Sequence, residues 1–499
     1  MERASGILMH ITSLPEAEGI GTFGKKAYEF ADFLKASDQR YWQILPLGPV
    51  GYGNSPYQAF SAFAGNPYLI DLNKLKEENL LAADEDIVLD KNAEGSSKVD
   101  LDKVSPLKLQ ILHKAYEQSK KDENLVKEIA AFVEESKDWI EDYSLFMAIK
   151  GSLDNVAWQE WPEELKLRDE KALARSREEL KDSIGFWNFV QYEFNKQWKE
   201  LKAYINKCGI RVIGDIPIYV SADSSDTWSH PELFKLDEKC RPITVAGCPP
   251  DAFTADGQLW GNPIYDWEYL KKTNYKWWVD RMKQNAVLYD MIRIDHFRGF
   301  ESFWEVPAGE DTAKNGQWTK GPGYSLFEAI NNELGDIDII AEDLGFITED
   351  VIKLRKQTGY PGMTIMQFGF EPDANSDYVP HKCSYDTVSY IGTHDNETIV
   401  GWMENPANSK QFNFAKRYLR LTKKETYHWG FIRGLWATHS VLALVQMQDV
   451  LGLDNSTRMN IPSTVGDNWN WRMQEDAIDT QITKRLKQLT KLYGRKVKK

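Results

Sequence analysis

Short apolar runs of strand length recur eight times along this chain, and the segments between them have helical periodicity. The runs occupy residues 7–11, 41–47, 210–216, 291–294, 337–341, 363–368, 388–391 and 441–445. Apolar runs this short are typical of strands buried on both faces, and their alternation with helices predicts a parallel sheet. Eight such units predict an α/β fold in the form of a closed (β/α)8 TIM barrel.

Two of the spacings between runs are too long for an ordinary strand–helix unit. Residues 71–180 are charge-rich and predict a mainly helical insertion subdomain. Residues 217–285, which begin rich in Pro, Gly, Asp and aromatic residues, predict an irregular insertion over the barrel mouth. Too little chain follows the eighth run for a C-terminal β-sandwich, and residues 482–499 predict a charged helix with a solvated tail. We therefore predict one barrel domain over 1–499, with helical and loop insertions at its C-terminal face.

Charge and cysteine usage exclude several classes of partner. A net charge of −14 and a pI near 5.3 argue against nucleic acid and anionic membranes. The four cysteines form no Cys-x-x-Cys pair and have no histidine at zinc-finger spacing, so neither a disulfide framework nor a structural metal is predicted. The N-terminus lacks a secretory pattern and no long apolar run occurs. We expect a cytoplasmic protein.

Three acidic residues follow apolar runs directly: Asp295, Glu342 and Asp395. Because a parallel barrel carries its catalytic groups at the carboxyl ends of its strands, these carboxylates should meet on one rim. Hydrolysis or transfer at a glycosidic bond uses one carboxylate to attack the anomeric carbon and one carboxylic acid to protonate the departing oxygen. The three runs therefore predict glycosidic-bond chemistry.

The neighbours of these carboxylates indicate a role for each. Arg293 shares a strand face with Asp295, so its guanidinium should lower the pKa of Asp295 and keep that group ionised as a nucleophile. Glu342 leaves an apolar strand near other carboxylates, which should raise its pKa and suit a proton donor. Asp395, beside His394, is the third carboxylate, and we expect it to bind sugar hydroxyls. A nucleophile and an acid about 5 Å apart would retain the anomeric configuration.

Loop aromatics indicate a sugar ligand. Tyrosines and tryptophans lie beside Gly, Pro, Asn and Asp in residues 51–57, 259–263 and 467–471. A pyranose ring presents C–H groups to a flat ring and hydroxyls to planar polar side chains, so such loops supply both halves of recognition.

Two other interpretations of the same residues stay open. An Arg-x-Asp pair can be a structural ion pair, and a His-Asp-Asn run can be a turn. A mixed metal site is a further alternative, built from Asp295, His296, Glu342, Asp343, His394 and Asp395. No His-Glu-x-x-His spacing of a zinc helix occurs.

The chain resembles the 4-α-glucanotransferases called amylomaltases or disproportionating enzymes, within the wider α-amylase group of retaining barrels. The resemblance covers nearly the whole chain, apart from residues 71–180. It is carried by the motifs at 51–58, 61–67, 214–220, 249–253, 259–263, 293–299, 341–345 and 392–396.

The resemblance implies Asp295 as nucleophile, Glu342 as acid and base, and Asp395 as transition-state stabiliser. It also implies that Arg293, His394 and Asp215 contact the cleaved sugar. Flanking sugar subsites are implied for Tyr52, Ser55, Asp251, Trp260, Asp343 and Asn468, under a covering loop at 249–261. The third strand ends in residues 215–219 where amylases carry an Asn-His pair, and with the missing β-sandwich this departure argues against an amylase-like calcium. No cofactor and no metal is predicted.

The implied function is transfer of glucosyl or maltooligosyl units, by a retaining double displacement, between α-1,4-glucans and maltooligosaccharides or to glucose. A retaining α-1,4-glucan hydrolase uses the same residues with water as the acceptor. A glycan-binding protein without turnover is a third interpretation, although all three carboxylates are intact. The sequence does not indicate an oligomeric state.

Overall fold

The computed structural model describes residues 1–91, 95–250, 254–372 and 376–497. In chain order its strands are β1 Ala4–Leu8, β2 Tyr41–Gln43, β3 Arg211–Ile216, β4 Thr244–Cys248, β5 Gln258–Pro263, β6 Met291–Ile294, β7 Ser302–Pro307, β8 Gln317–Lys320, β9 Ile339–Ala341, β10 Gly362–Ile365, β11 Thr387–Tyr390 and β12 Leu442–Gln446.

The helices surround these strands. They are α1 Lys25–Ala36, α2 Leu72–Glu77, α3 Leu101–Ser119, α4 Glu123–Glu135, α5 Lys137–Ser152, α6 Glu163–Lys166, α7 Glu170–Glu179, α8 Lys181–Lys207, α9 Ser225–Ser229, α10 Trp267–Lys272, α11 Lys276–Leu288, α12 Tyr324–Leu334, α13 Glu349–Thr358, α14 Ile399–Glu404, α15 Ser409–Tyr418, α16 Tyr427–Ala437, α17 Met447–Leu451 and α18 Thr480–Leu492. Within the described ranges, no helix is long and apolar enough to cross a membrane.

Eight parallel strands form the barrel sheet, in the order β10-β11-β12-β1-β2-β3-β6-β9. The two end strands approach each other through a bond of 3.0 Å from the Ala341 amide to the Pro361 carbonyl and one of 2.7 Å from the Met363 amide to Asp343 Oδ1. Each predicted apolar run overlaps one barrel strand, so the predicted (β/α)8 barrel is confirmed. Strand β2 ends at Gln43, whereas the apolar run continues to 47; Ile44, Leu45 and Leu47 are buried beyond the strand.

The inner face of the barrel changes from apolar to charged towards the carboxyl ends of its strands. Ile213 and Met291 belong to the buried cluster inside the barrel. Since strand side chains alternate, Asp215 and Arg293, two residues further along, point to the same face. These two residues are partners in the register between β3 and β6. The strand geometry therefore places polar groups on the rim that the sequence indicated.

A second, four-stranded sheet of order β5-β4-β7-β8 is antiparallel. The prediction of an irregular segment at 217–285 was wrong in this respect, since that segment contributes β4, β5 and α9 to α11. The sequence did not predict these strands for two reasons. Strand β4 pairs with β7, which is distant in the chain, and Gly247 and Pro263 interrupt the alternation of apolar residues. Residues 71–180 contain α2 to α7, and α3, α4, α5 and α7 pack on α8.

The chain end is less solvated than the sequence indicated. Arg495, three residues beyond α18, is fully buried, and its guanidinium donates to the carbonyls of Trp436, Ala4, Ser440 and Thr438 at 2.8–3.1 Å. Ala4 and Ser440 lie at the amino ends of β1 and β12, and Trp436 and Thr438 lie at the end of α16. Arg495 therefore ties the segment after α18 to the barrel at the end opposite the polar rim.

Candidate active site

Arg293 links two carboxylates on the rim. Its side chain is 3% exposed, and its Nη1 donates to Asp215 Oδ2 at 2.5 Å while Nη2 pairs with Asp295 Oδ1 at 2.9 Å. Asp215 is fully buried, so the guanidinium is its charge partner in the interior. Asp295, directly after β6, keeps 28% of its side chain exposed. The ion pair fixes one oxygen of Asp295 and turns the group towards the open mouth.

Glu342 is held by the loop that follows Asp295. Its Oε2 accepts the His296 amide at 2.7 Å, and its Oε1 accepts the Leu344 amide at 3.1 Å. His296 has a φ of 53°, a left-handed conformation that is uncommon outside glycine and that turns this amide towards Glu342. The Phe297 amide also donates to the Glu342 carbonyl at 3.0 Å. The ends of β6 and β9 are therefore tied together, which fixes the two carboxylates relative to each other.

Asp395 lies in the loop after β11 and is supported from the 458–469 segment. Its Oδ1 accepts Asn460 Nδ2 at 2.6 Å, and Arg458 donates to its carbonyl at 2.7 Å. The other oxygen, Oδ2, lies 3.3 Å from His394 Nε2. With 38% of its side chain exposed, Asp395 faces the same open mouth as Asp295.

A directional hydrogen-bond chain connects these groups through Tyr57. The Tyr57 hydroxyl lies 3.0 Å from Asp215 Oδ2 and 2.9 Å from His394 Nε2. A carboxylate only accepts, so the single hydroxyl proton goes to Asp215, and the tyrosine oxygen must accept from His394. His394 therefore carries its proton on Nε2, which also faces Asp395. The Tyr57 ring stacks on His394 at 5.4 Å and 13°.

Burial raises the pKa of both candidate catalytic carboxyls. The pKa of Asp295 is raised to about 7 by burial, with Asp215 and Asp395 adding to the effect and Arg293 opposing it. The predicted lowering of this pKa was wrong, because the guanidinium is shared with Asp215 and does not outweigh desolvation. The pKa of Glu342 is raised well above its ordinary value, by burial first and then by the charge of Asp295. That direction agrees with the sequence prediction.

The neutral state of the imidazoles follows from burial. Desolvation lowers the pKa of His394 and lowers that of His296 to about 3. Both rings are therefore uncharged at neutral pH, and the positive charge beside Asp215 and Asp295 comes from Arg293.

Comparison with known proteins identifies the family that this geometry serves. The model of a glycoside hydrolase family 77, described as 4-alpha-glucanotransferase, matches residues 9–479. The chain belongs to this 4-alpha-glucanotransferase family. A 4-alpha-glucanotransferase of Clostridium butyricum is 50% identical over 98% of this chain and 100% of the relative, and one of Streptococcus pneumoniae is 48% identical over 99% and 98%.

A solved structure extends the comparison to the fold. The amylomaltase from Streptococcus agalactiae, in complex with acarbose, superimposes with a TM-score of 0.96 at 45% identity, covering 99% of this chain and 100% of that one. The resemblance stated from sequence is confirmed, and the chain has the fold and the glycosyltransferase activity of a 4-alpha-glucanotransferase.

Two residues with an implied subsite role have structural partners instead. Both oxygens of Asp343 are engaged, Oδ1 by the Met363 amide and Oδ2 by Arg355 at 2.9 Å, where they hold β9 to β10. The Asn468 amide accepts from Ile461 at 3.0 Å and donates to Thr464, which closes the 461–468 loop. The geometry therefore gives Asp343 and Asn468 supporting positions in the loops of the glucanotransferase site.

Other implied subsite residues lie at the mouth. Trp260 on β5 meets the His296 ring at 4.8 Å and 87°, beside the amide that binds Glu342. Ser55 Oγ accepts the Tyr57 amide at 3.3 Å. Asp251 lies outside the described residues, as does the side chain of Tyr52.

Sequence reasoning did not select Tyr57, Asn460 or Trp469, whose ring lies 5.6 Å from that of Tyr57. Tyr57 stands in the quoted motif at 51–58, but nothing in that motif distinguishes it from Tyr52. Among the residues that the structure describes, no group of three or more His, Cys, Asp or Glu is arranged to hold a metal ion.

Proposed function

We propose that the transfer proceeds through a covalent glycosyl–Asp295 intermediate with retention of configuration. The observation that carries the proposal is that Arg293 binds Asp295 while the amide of the next residue, His296, binds Glu342. These contacts hold the two carboxyl groups in fixed positions on the same rim. In the first step an oxygen of Asp295 attacks the anomeric carbon, the glycosidic C–O bond breaks, and the Glu342 proton passes to the departing oxygen. Asp295 Oδ1 is held by Arg293, which leaves Oδ2 to attack.

The second step reverses these roles. Glu342, now a carboxylate, takes the proton from the 4-hydroxyl of an acceptor sugar. The acceptor oxygen forms the new bond to the anomeric carbon and Asp295 departs. Asp395 and His394, aligned by Tyr57, hold hydroxyls of the reacting sugar, while Arg293 and Asp215 keep the nucleophile in place. Donors and acceptors are α-1,4-glucans and maltooligosaccharides, with glucose as a further acceptor.

We also propose the domain and cellular setting. One barrel domain over 1–499 performs the reaction, with 71–180 as a helical insertion and 217–285 over the mouth. The contact of Trp260 with His296 supports the second placement. The cysteine spacing supports a cytoplasmic location.

Incubation with pure maltotriose tests the transfer. Chromatography of the products is combined with a measurement of total reducing ends. We expect longer oligosaccharides plus glucose at constant reducing ends. Reducing ends that rise without longer products would show a hydrolase and would refute transfer.

We predict that Trp260→Ala lowers the ratio of transfer to hydrolysis. Transfer requires that an acceptor sugar, rather than water, reaches the glycosyl intermediate. An aromatic ring beside Glu342 can stack on the acceptor sugar and so keep water out. A fall of about threefold or more is expected from the loss of one stacking contact. The measurement is the yield of longer maltooligosaccharides against the increase in reducing ends. Tyr269→Ala, an exposed aromatic on α10, is the control; an unchanged ratio in Trp260→Ala would remove this role.

A further inference from the structure

Two exposed aromatic side chains lie beside the acid/base loop and take no part in the mechanism above. Trp318 on β8 is 42% exposed, and Phe346 is 46% exposed. Strand β8 is an edge strand of the antiparallel sheet, and Phe346 follows Glu342 in the same loop. We call Trp318 and Phe346 the aromatic platform.

Arg298 holds the platform together. This arginine is 4% exposed, and its guanidinium carbon lies 3.8 Å from the centre of the Trp318 ring. It also donates to the Phe346 carbonyl and, at 2.9 Å, to Ser302 Oγ. Arg298 follows Asp295 by three residues, so the contact joins Trp318 to both catalytic strand ends. A buried guanidinium on one face of an indole fixes the ring in place.

Two side chains pack against the Trp318 ring. Arg298 covers one side of the ring, and Trp304 meets it at 5.2 Å and 69°. With these two contacts made, 42% of Trp318 remains exposed to solvent. A partly exposed aromatic ring that is already held in place binds a pyranose with little loss of side-chain freedom.

Charged groups border the platform. Lys320 pairs with Glu301 and reaches Asp350 at 3.7 Å, and Lys320 and Asp350 are 73% and 67% exposed. These contacts place β8 next to the start of α13, on the same side as Phe346. Exposed polar side chains beside a flat ring can bind sugar hydroxyls while the ring contacts the C–H face.

The position of the platform indicates which part of a bound glucan would lie near it. Glu342 gives its proton to the departing oxygen, so the loop that carries it borders the leaving-group sugars. Phe346 lies four residues further along that loop and is exposed to solvent. A glucan chain that extends from the cleavage point towards its reducing end, or an incoming acceptor chain, is therefore the ligand whose position fits the platform.

We propose that Trp318 and Phe346 form an additional binding site for α-1,4-glucan chains on the leaving-group and acceptor side of the cleft. The site rests on the proposed acid/base role of Glu342. It takes chains that are longer than the cleft and adds nothing for ligands that end within it. It therefore favours long glucans over maltotriose.

The test compares long and short substrates in the same variants. Trp318→Leu keeps an apolar side chain and removes the flat face, and Phe346→Leu does the same in the loop. Short-chain amylose with glucose as acceptor is followed by iodine colour, and maltotriose by glucose release. We expect the KM for amylose, relative to the KM for maltotriose, to rise about three- to tenfold, the range of one stacking contact. Tyr385→Leu, with 47% exposure at the opposite end of the barrel, should leave that ratio unchanged.

A binding measurement separates the site from catalysis. Asp295→Asn and Asp295→Asn/Trp318→Leu are compared by electrophoresis in gels that contain amylose. The double variant should be retarded less, with melting temperatures checked for both. Equal retardation, or an equal change in both KM values, would overturn the proposal. A change in sedimentation without a change in retardation would also overturn it, by assigning the platform to contact between copies. Failure of wild-type protein to disproportionate maltotriose would instead count against the proposed function.

Discussion

Asp295→Asn is expected to lower turnover about 10⁴-fold or more while leaving glucan binding intact. An amide cannot form the glycosyl ester, so the covalent route is lost and only residual turnover remains. The fold should survive, because the asparagine carbonyl can still accept from Arg293 and because Asp215 remains as the charge partner of that guanidinium at 2.5 Å. Maltotriose disproportionation measures turnover, and electrophoresis in glycogen-containing gels measures binding.

A matched substitution and a chemical rescue make this result specific. Asp377→Asn changes a carboxylate that is 95% exposed and should leave turnover unchanged. Asp295→Ala opens space for azide, which should convert α-maltosyl fluoride into the β-azide by a single inverting displacement. Full activity in Asp295→Asn, or an α-azide from Asp295→Ala, would refute Asp295 as nucleophile.

The barrel was predictable because its signal is local. A strand buried on both faces needs a short apolar run, and this requirement holds whatever its neighbours are. The strand ends were predictable for the same reason, since Asp295 and Glu342 directly follow such runs. The antiparallel sheet was not predictable, because β4 pairs with β7 and the chain between these two strands includes β5, α10, α11 and β6. Neither strand has a local partner signal in its own sequence.

The remaining errors concern the directions of side chains at strand ends. Glu342 and Asp343 are adjacent carboxylates, yet one accepts loop amides at the mouth and the other holds β10 through Met363. Periodicity ends where the strand ends, so it cannot assign these directions. The role of Tyr57 was not predicted for a related reason, because its partners Asp215 and His394 lie 158 and 337 residues away in the chain. The rise in the Asp295 pKa likewise depends on burial and on two distant carboxylates.

Glu342→Gln is expected to reduce kcat about 10²- to 10⁴-fold, the usual contribution of a general acid–base group. The glutamine amide can neither protonate the departing oxygen nor accept the acceptor's proton. The loop should keep its shape, because a carbonyl oxygen at this position can still accept the His296 amide. Glu349→Gln, an exposed residue at the start of α13, is the control.

The pH profile gives the sharper result, because the two carboxyls determine opposite limbs. Activity needs Asp295 ionised and Glu342 protonated. It should therefore increase as pH rises through the Asp295 pKa of about 7 and decrease above the pKa of Glu342, which burial and the Asp295 charge raise. In Glu342→Gln the alkaline limb should disappear, because glutamine has no proton to lose. The acid limb should remain, because Asp295 then ionises beside a neutral amide, much as it ionises beside protonated Glu342 in the native protein. The measurement is kcat/KM against pH for both proteins.

Stereochemistry then distinguishes the acid/base from the nucleophile. With Glu342→Ala and α-maltosyl fluoride, whose leaving group needs little protonation, the glycosyl–Asp295 intermediate should still form. Azide should attack that intermediate from the opposite face to Asp295 and yield the α-azide. An α-azide from Glu342→Ala together with a β-azide from Asp295→Ala requires two displacements in the native enzyme. A β-azide from Glu342→Ala, or an alkaline limb that persists in Glu342→Gln, would assign the proton transfer to a different group on the rim.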